Sequence, residues 1–339
     1  MLEDKTQKID FNDEVTGLIY GFVFDENRPP RRVTSGQILD EYHQHKNASG
    51  FTWLHINLNH AAAEKWLKKQ FSIESFFFDE IRNGSHSTRI ESQDNVLFAV
   101  LNDANFQPDS SGEETATLWL YCCTGLVITA RHKPLRLIER LFRKLEHLSP
   151  SSPSALLVHL LEEQEEVLEQ IVRQANQYVD QVEERLLSGH VKKNRTRLGR
   201  MRRQLLRFQR LLAPEPAALF RLMNRPPRWL SAEVVTDLRQ FAEEFTVVLN
   251  DLVGLTERIR LLQEEISSSQ MEQNNRTLYV LTVITVLALP INIIAGFFGM
   301  NVGGIPLASN PHGFMLLVLV VVVFTVIAGW FALRKKDDD

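Results

Sequence analysis

Residues 296–306 read GFFGMNVGGIP and separate two long apolar runs. Four glycines, an asparagine and a proline are poor helix formers, yet the sequence around them is built for a helix in lipid. From 277 to 333, a stretch of 57 residues, there is no Asp, Glu, Lys or Arg, whereas the first 276 positions hold 35 basic and 39 acidic side chains. The slightly negative mean hydropathy of the chain therefore averages two regions suited to different solvents.

Within the uncharged stretch, 278–298 supplies 21 mostly apolar residues and 314–333 supplies 20. Each is about the length that crosses a hydrocarbon core of roughly 30 Å. A two-helix membrane hairpin follows, joined by NVGGIPLASNPHG (301–313), a loop rich in Gly and Pro. Arg276 precedes the first span, and Arg334, Lys335 and Lys336 follow the second. Basic residues stay on the cytoplasmic side, which predicts both termini inside and the short loop outside. The N-terminus MLEDKTQKIDFNDEV is acidic and polar and does not read as a cleaved export peptide.

Ahead of the hairpin, GLIYGFVF (17–24), FTWLHINL (51–58), NVLFAVLN (95–102), ATLWLYCC (116–123) and GLVITAR (125–131) are rich in β-formers. AAAEKWLKKQF (61–71) and IESFFFDEIRNG (73–84) have helical spacing. Residues 1–150 thus read as an α/β domain with a mixed or antiparallel sheet. The adjacent Cys122 and Cys123 are read as strand residues of a reducing compartment.

Residues 151–277 read as helical stalk. An acidic helix is expected from Ser154 as N-cap to Gly189 as terminator, with a seam at Leu157, Leu161, Leu168, Ile171, Ala175, Val179, Val182 and Leu186. A basic helix follows, striped by Leu198, Met201, Leu205, Phe208 and Leu212 and ended by Pro214 and Pro216. The third begins near Ser231, with apolar residues from Val234 to Ile266, and meets no proline before Pro290. Unbroken to Gly299, it would reach about 100 Å at 1.5 Å per residue. The fold class is α+β: a sheet domain, long stalk helices, the membrane hairpin 278–333 and a short tail, 334–339.

On the first span the polar and small residues fall on one heptad face, formed by Asn275, Thr282, Leu289 and Gly296 with Leu278, Thr285, Asn292 and Gly299. Polar groups in lipid need partners in protein or water. Two arrangements satisfy them: hydrogen bonds back to the helix or across a tight helix pair, or several copies around an axis with this face lining a wet pore. The loop favours the pore. Gly296 and Gly299 free the backbone, and Asn301 presents an uncharged carbonyl able to hold a cation through its water shell, where carboxylates would grip a bare ion and slow its release.

GMN at 299–301, closing the first of two C-terminal spans behind a long helical stalk, resembles the signature of the CorA family of divalent cation transporters. The following VGGIP resembles its ZntB branch, associated with zinc, and differs from the acidic loops of the magnesium branch. STRIESQDNVLFAVLNDA and RRQLLRFQRLLAPEPAAL also resemble family segments, although Ile90 stands where a basic residue is more usual. The resemblance implies a funnel-shaped homopentamer in the inner membrane, with a five-fold pore lined by the first span and the second span facing lipid. It carries the selectivity filter over to Gly299, Met300 and Asn301. The remaining lining comes from the heptad, with Leu278 and Leu289 as candidate apolar constrictions.

The expected cargo is therefore Zn2+ or another divalent cation, with the bilayer and further copies of the chain as partners and no cofactor. Magnesium or cobalt is the alternative within the family, and a non-conducting membrane-anchored scaffold or sensor the alternative outside it. The net charge of −4, and an acidic helix beside the basic one, argue against nucleic acid. Most of the ten histidines lack ligand spacing; His312, in the outer loop, is the candidate for proton or cation entry. No Walker loop, G-x-S-x-G elbow, H-E-x-x-H or Rossmann fingerprint is present, so no enzyme is expected.

Overall fold

The structure is a computed structural model that describes residues 16–26, 28–45, 50–83, 86–93, 95–106, 115–145, 149–188, 195–300 and 311–337. Its strands are β1 (Leu18–Asp25), β2 (Arg31–Arg32), β3 (Gly50–Asn57), β4 (Arg89–Gln93), β5 (Val96–Ala104), β6 (Thr115–Cys123) and β7 (Leu126–Arg131). Its helices are α1 (Ile38–His45), α2 (Ala63–Phe71), α3 (Ser75–Asn83), α4 (Arg136–Lys144), α5 (Pro153–Leu187), α6 (Arg195–Leu212), α7 (Glu215–Asn224), α8 (Ala232–Gly299) and α9 (Gly313–Asp337). The chain divides into two compact units, Met1–Gln263 and Glu264–Asp339.

In the first unit the strands form one sheet in the order β2-β1-β3-β7-β6-β5-β4. The pairing is antiparallel except between β3 and β7, so the sheet is mixed. Both faces are covered, which is why β5 is buried over nearly its whole length instead of alternating. One face packs Leu54, Ile56, Phe98, Val100 and Trp119 against Leu67, Phe77 and Phe78 of α2 and α3. α5 crosses β5 and β6. The two-residue turn between β6 and β7 places Gly125 at φ 83°, a backbone state that glycine adopts without steric cost.

The apolar stripes of the three long helices are the buried ones. Every seam residue named for α5 is buried except Leu186, which is half-covered; all five stripe residues of α6 are buried; and Val234, Leu238, Phe241, Phe245, Val248, Leu252, Leu255, Ile259, Leu262 and Ile266 form the buried line of α8. Ser231 Oγ accepts from Val234 N at 3.2 Å, capping α8 where the sequence places its start.

Two local expectations change. The cap of α5 is Ser152, whose extended backbone lets Oγ accept from Ala155 N at 3.1 Å, with Pro153 in the first turn where its missing N–H costs nothing. Ser154 is buried inside that turn, and Gly189 lies outside the described residues. RIESQ is a strand, β4, and Ile90 is its one buried residue, which gives that position an apolar role. The acidic helix α5 makes ion pairs with two other helices: Glu163 and Glu166 meet Arg140 and Lys144 of α4, and Asp180 and Glu183 meet Arg258 of α8. α6 reaches α5 through Arg197, whose guanidinium lies 4.2 Å from the centre of the Tyr178 ring.

Candidate ion-conducting face

α8 is one helix of 68 residues with Pro290 inside it, and it contains an 18-residue window of mean hydropathy 2.3 with none of that window buried. α9 opens with the apolar stretch Gly313–Ala328. By length and composition the first is able to cross a bilayer. Proline removes the N–H that would bond the carbonyl of Val286, a loss that membrane helices tolerate where protein or water supplies another donor.

In the second unit the partly covered residues of α8 include Val283, Leu287, Ile291 and Ile294, and those of α9 include Leu317, Val321, Thr325 and Ala328, each set at helical spacing. Away from this stripe, Asn275, Leu278, Thr282, Thr285, Leu289, Asn292, Gly296 and Gly299 are all exposed. The structure thus keeps the eight heptad residues on one helix and leaves the whole line open within a single chain. Met300, just past the helix end, is 48% exposed. Asn301 lies outside the described residues. His312 is exposed before α9, and its carbonyl accepts from Leu316 N at 3.1 Å.

The two threonines take the self-satisfied arrangement. Thr282 Oγ1 donates to Leu278 O at 2.8 Å and Thr285 Oγ1 to Leu281 O at 2.9 Å. A hydroxyl has one proton and two lone pairs, so this bond leaves acceptor capacity on the outer side of each oxygen. Such a surface offers oxygen to water without fixed charge. Gly296 and Gly299 add a second clue: a Cβ at either would meet no atom of the described residues within 4 Å, and neither has a positive φ, so nothing among those residues demands glycine there.

The exposed line also runs further than the sequence reading took it. N-terminal to Asn275 and within the same unit it continues through Met271, Ser268 and Glu264, at the same alternating spacing of three and four. The signal was the heptad itself, hidden because polar residues on a helix outside the bilayer resemble any solvated face. Among the described residues no group of three or more His, Cys, Asp or Glu is placed to hold a metal ion. Along its membrane-length part, from Asn275 to Gly299, the exposed line carries uncharged oxygens and apolar side chains and no carboxylate.

A protein-family model described as CorA-like Mg2+ transporter protein matches residues 48–335. The chain belongs to that family. Members of the CorA-like family are transporters of divalent cations and not enzymes, in keeping with the missing catalytic motifs. The chain is 28% identical over 325 residues to the divalent cation transporter CmaX of Pseudomonas aeruginosa, covering 94% of this chain and 96% of that one. It is 23% identical over 285 residues to the zinc transport protein ZntB of Yersinia pseudotuberculosis, covering 84% and 87%. Among solved structures, full-length CmaX superposes with a TM-score of 0.77 at 26% identity, covering 94% of this chain and 98% of that one. The complete CorA magnesium transporter of Methanocaldococcus jannaschii gives 0.73 at 19%, covering 92% and 96%, a likeness of fold.

Proposed function

We propose that the chain assembles as a homopentamer in the inner membrane and conducts a divalent cation, zinc first, along an axial pore. The exposed, uncharged heptad face of α8 ending at Gly299 carries this reading. One chain leaves the polar residues of that face unpartnered by other helices, and copies around an axis would give them water and one another. Gly299, Met300 and Asn301 form the filter, with Leu278 and Leu289 as apolar constrictions and His312 beside the entrance. The lining also includes Asn275, Thr282, Thr285, Asn292 and Gly296.

In this reading 1–150 and 151–277 are cytoplasmic, 278–333 forms the pore with its loop 301–313 outside, and 334–339 returns to the cytoplasm. Arg276, Arg334, Lys335 and Lys336 support that orientation. Zinc is favoured by the carboxylate-free loop and by the likeness to a protein named for zinc transport. Magnesium or cobalt is the second reading, favoured by the intact GMN tripeptide and by the description of the matching family model.

Reconstitution into liposomes holding a metal-sensitive dye tests the proposal. Zinc influx faster than magnesium influx, abolished or unselective in Asn301→Ala, is the expected result. Faster magnesium or cobalt moves the assignment to the second reading. No flux of any divalent ion in well-folded vesicles identifies a scaffold and overturns the pore.

A further inference from the structure

Glu215, in the first turn of α7, has no exposed surface, and Gln164 of α5 beside it is 3% exposed. The Gln164 amide nitrogen donates to Glu215 Oε2 at 2.9 Å and to the backbone oxygen of Asn102, on β5, at 3.1 Å. Both amide protons are thereby used. Two buried oxygens of the same pair, Glu215 Oε1 and Gln164 Oε1, accept nothing.

An ionised Glu215 would leave this corner with a buried negative charge, one N–H to support it and two acceptors facing no donor. A buried unsatisfied acceptor destabilises the fold, and an uncompensated buried charge does so more. A single proton on Glu215 Oε1 removes all three penalties: the charge is gone, the acid O–H is a donor, and the orphaned amide oxygen is its acceptor. The observed N–H to Oε2 bond then persists, and the acid O–H becomes a donor that the amide oxygen of the same pair can accept.

Charged groups on neighbouring elements have partners of their own among the described residues. Burial drives the Glu215 carboxyl upward, to about 8, against the opposing pull of the Gln164 hydrogen bond, and no charged group contributes. On α5, Glu163 is engaged by Arg140 and Lys144. On β5, Asp103 accepts from Leu137 N. On β4, which α7 also contacts, Arg89 is engaged by Glu80.

α7 ends at Asn224, and residues 225–231 lead directly into α8, anchored by Trp229 Nε1 donating to Asn95 O at 2.9 Å. Seven residues thus connect α7 to the start of α8. We propose that Glu215 is a proton-binding site of the N-terminal unit: it holds a proton at neutral pH, shares it with Gln164, and on losing it to a more alkaline medium releases α7 from α5 and loosens the start of α8. This goes beyond the conducting reading and stands whether or not the face of α8 carries ions.

Infrared spectroscopy of the full-length protein in detergent, with its glutamates carbon-13 labelled, tests the site. At pH 7 a protonated glutamic acid band resistant to deuterium exchange is expected; it should titrate away several pH units above the ordinary carboxylate range and vanish in Glu215→Gln. Hydrogen exchange of the α7 amides should rise across the same alkaline range in the wild type, beyond the intrinsic pH effect, and stay level in Glu215→Gln. Should Glu215→Gln fail to fold, Glu165→Gln removes the half-buried glutamate also pushed upward, to about 7, and the band must survive in it. Absence of the band at pH 7 in wild type or Glu165→Gln, or identical α7 exchange profiles in wild type and Glu215→Gln, would overturn the proposal.

Discussion

Arg258 of α8 donates through Nε to Glu183 Oε1 of α5 at 2.7 Å, while its Nη2 reaches Asp180 Oδ1 at 2.7 Å. One guanidinium thus bridges two carboxylates a turn apart on the neighbouring helix, a geometry that suits arginine's planar fork and not lysine. The hydrogen bond to Glu183 comes first in holding the Arg258 proton more firmly than usual. The side chains of Arg258 and Glu183 are 38% and 33% exposed, so solvent screens much of this. Arg258→Met should lower stability by about 1 kcal/mol, and the deficit should shrink at high salt. Thermal unfolding of both proteins at two ionic strengths measures it; an equal loss at both would leave electrostatics with no part.

Gly21 of β1 marks a place where the segment after β2 and the start of α1 come too close for a side chain. A Cβ there would lie 2.8 Å from the backbone oxygen of Val33 and 2.8 Å from Ile38 Cδ1. Val33 N also donates to Gly21 O at 2.9 Å, so the backbone contact cannot relax freely. Gly21→Ala should destabilise the sheet unit by roughly 1–3 kcal/mol, the usual cost of overpacking. An unchanged unfolding midpoint would show that the turn after β1 yields.

His55 sits wholly inside the sheet unit, with Nδ1 2.9 Å from Thr129 Oγ1 and Nε2 accepting from Arg131 Nε at 3.1 Å. Burial first, then the Arg131 charge, lowers its proton affinity to about 3, against an ordinary 6.5. A depressed histidine is neutral in the folded state while the unfolded chain takes up a proton. Its stabilising contribution is present above pH 6.5 and is lost as pH falls toward 3. Asp103, raised by burial to about 6, works the other way: its stability is full below pH 3.8 and fades as pH rises through 6. The His55 part is isolated by difference: His55→Gln should flatten the acid limb of stability between pH 6 and 4 relative to wild type. Parallel curves would exclude His55 as its source.

If the α8 face lines a pore, Leu289 is one of its apolar rings. Leu289→Asn should raise resting ion leak in liposomes about tenfold or more, because a wetted constriction no longer closes by dewetting. Unaltered leak would move the constriction elsewhere, to Leu278 or beyond.

His312 is the one ionisable side chain of residues 301–313, the loop proposed to face outward. If His312 takes part in cation entry, the profile of flux against external pH should change in His312→Ala. A superimposable profile dismisses the entry role and leaves the conduit intact.

Much of this architecture was legible because long-range packing agrees with local pattern. Val234 to Ile266 recur at helical spacing and are buried; 277–333 lacks charge and includes the membrane-length helix stretch; Ser231 caps α8 as its sequence suggests. What escaped was short or polar. β2 is two arginines, β4 buries only Ile90, and α4 reads RLIERLFRK, too basic to announce three buried residues. Ser152 and Ser154 are equally good caps in sequence, and only Pro153 in its place between them decides. The Glu215–Gln164 pair joins residues 51 apart, which no local rule connects. For the face proposed to conduct, the heptad puts the eight positions on one line of α8, where all are exposed, while the continuation of that line to Glu264 was hidden among residues that water alone would explain.

The sheet ends, on one side, in β2, two residues long with both arginines exposed, and on the other in β4, with Glu91, Ser92 and Gln93 exposed and α7 against it. Neither margin offers a long bare ladder to a neighbouring chain. Copies of this protein crowded side by side would therefore find little at the β2 and β4 margins to zip into shared cross-chain sheets.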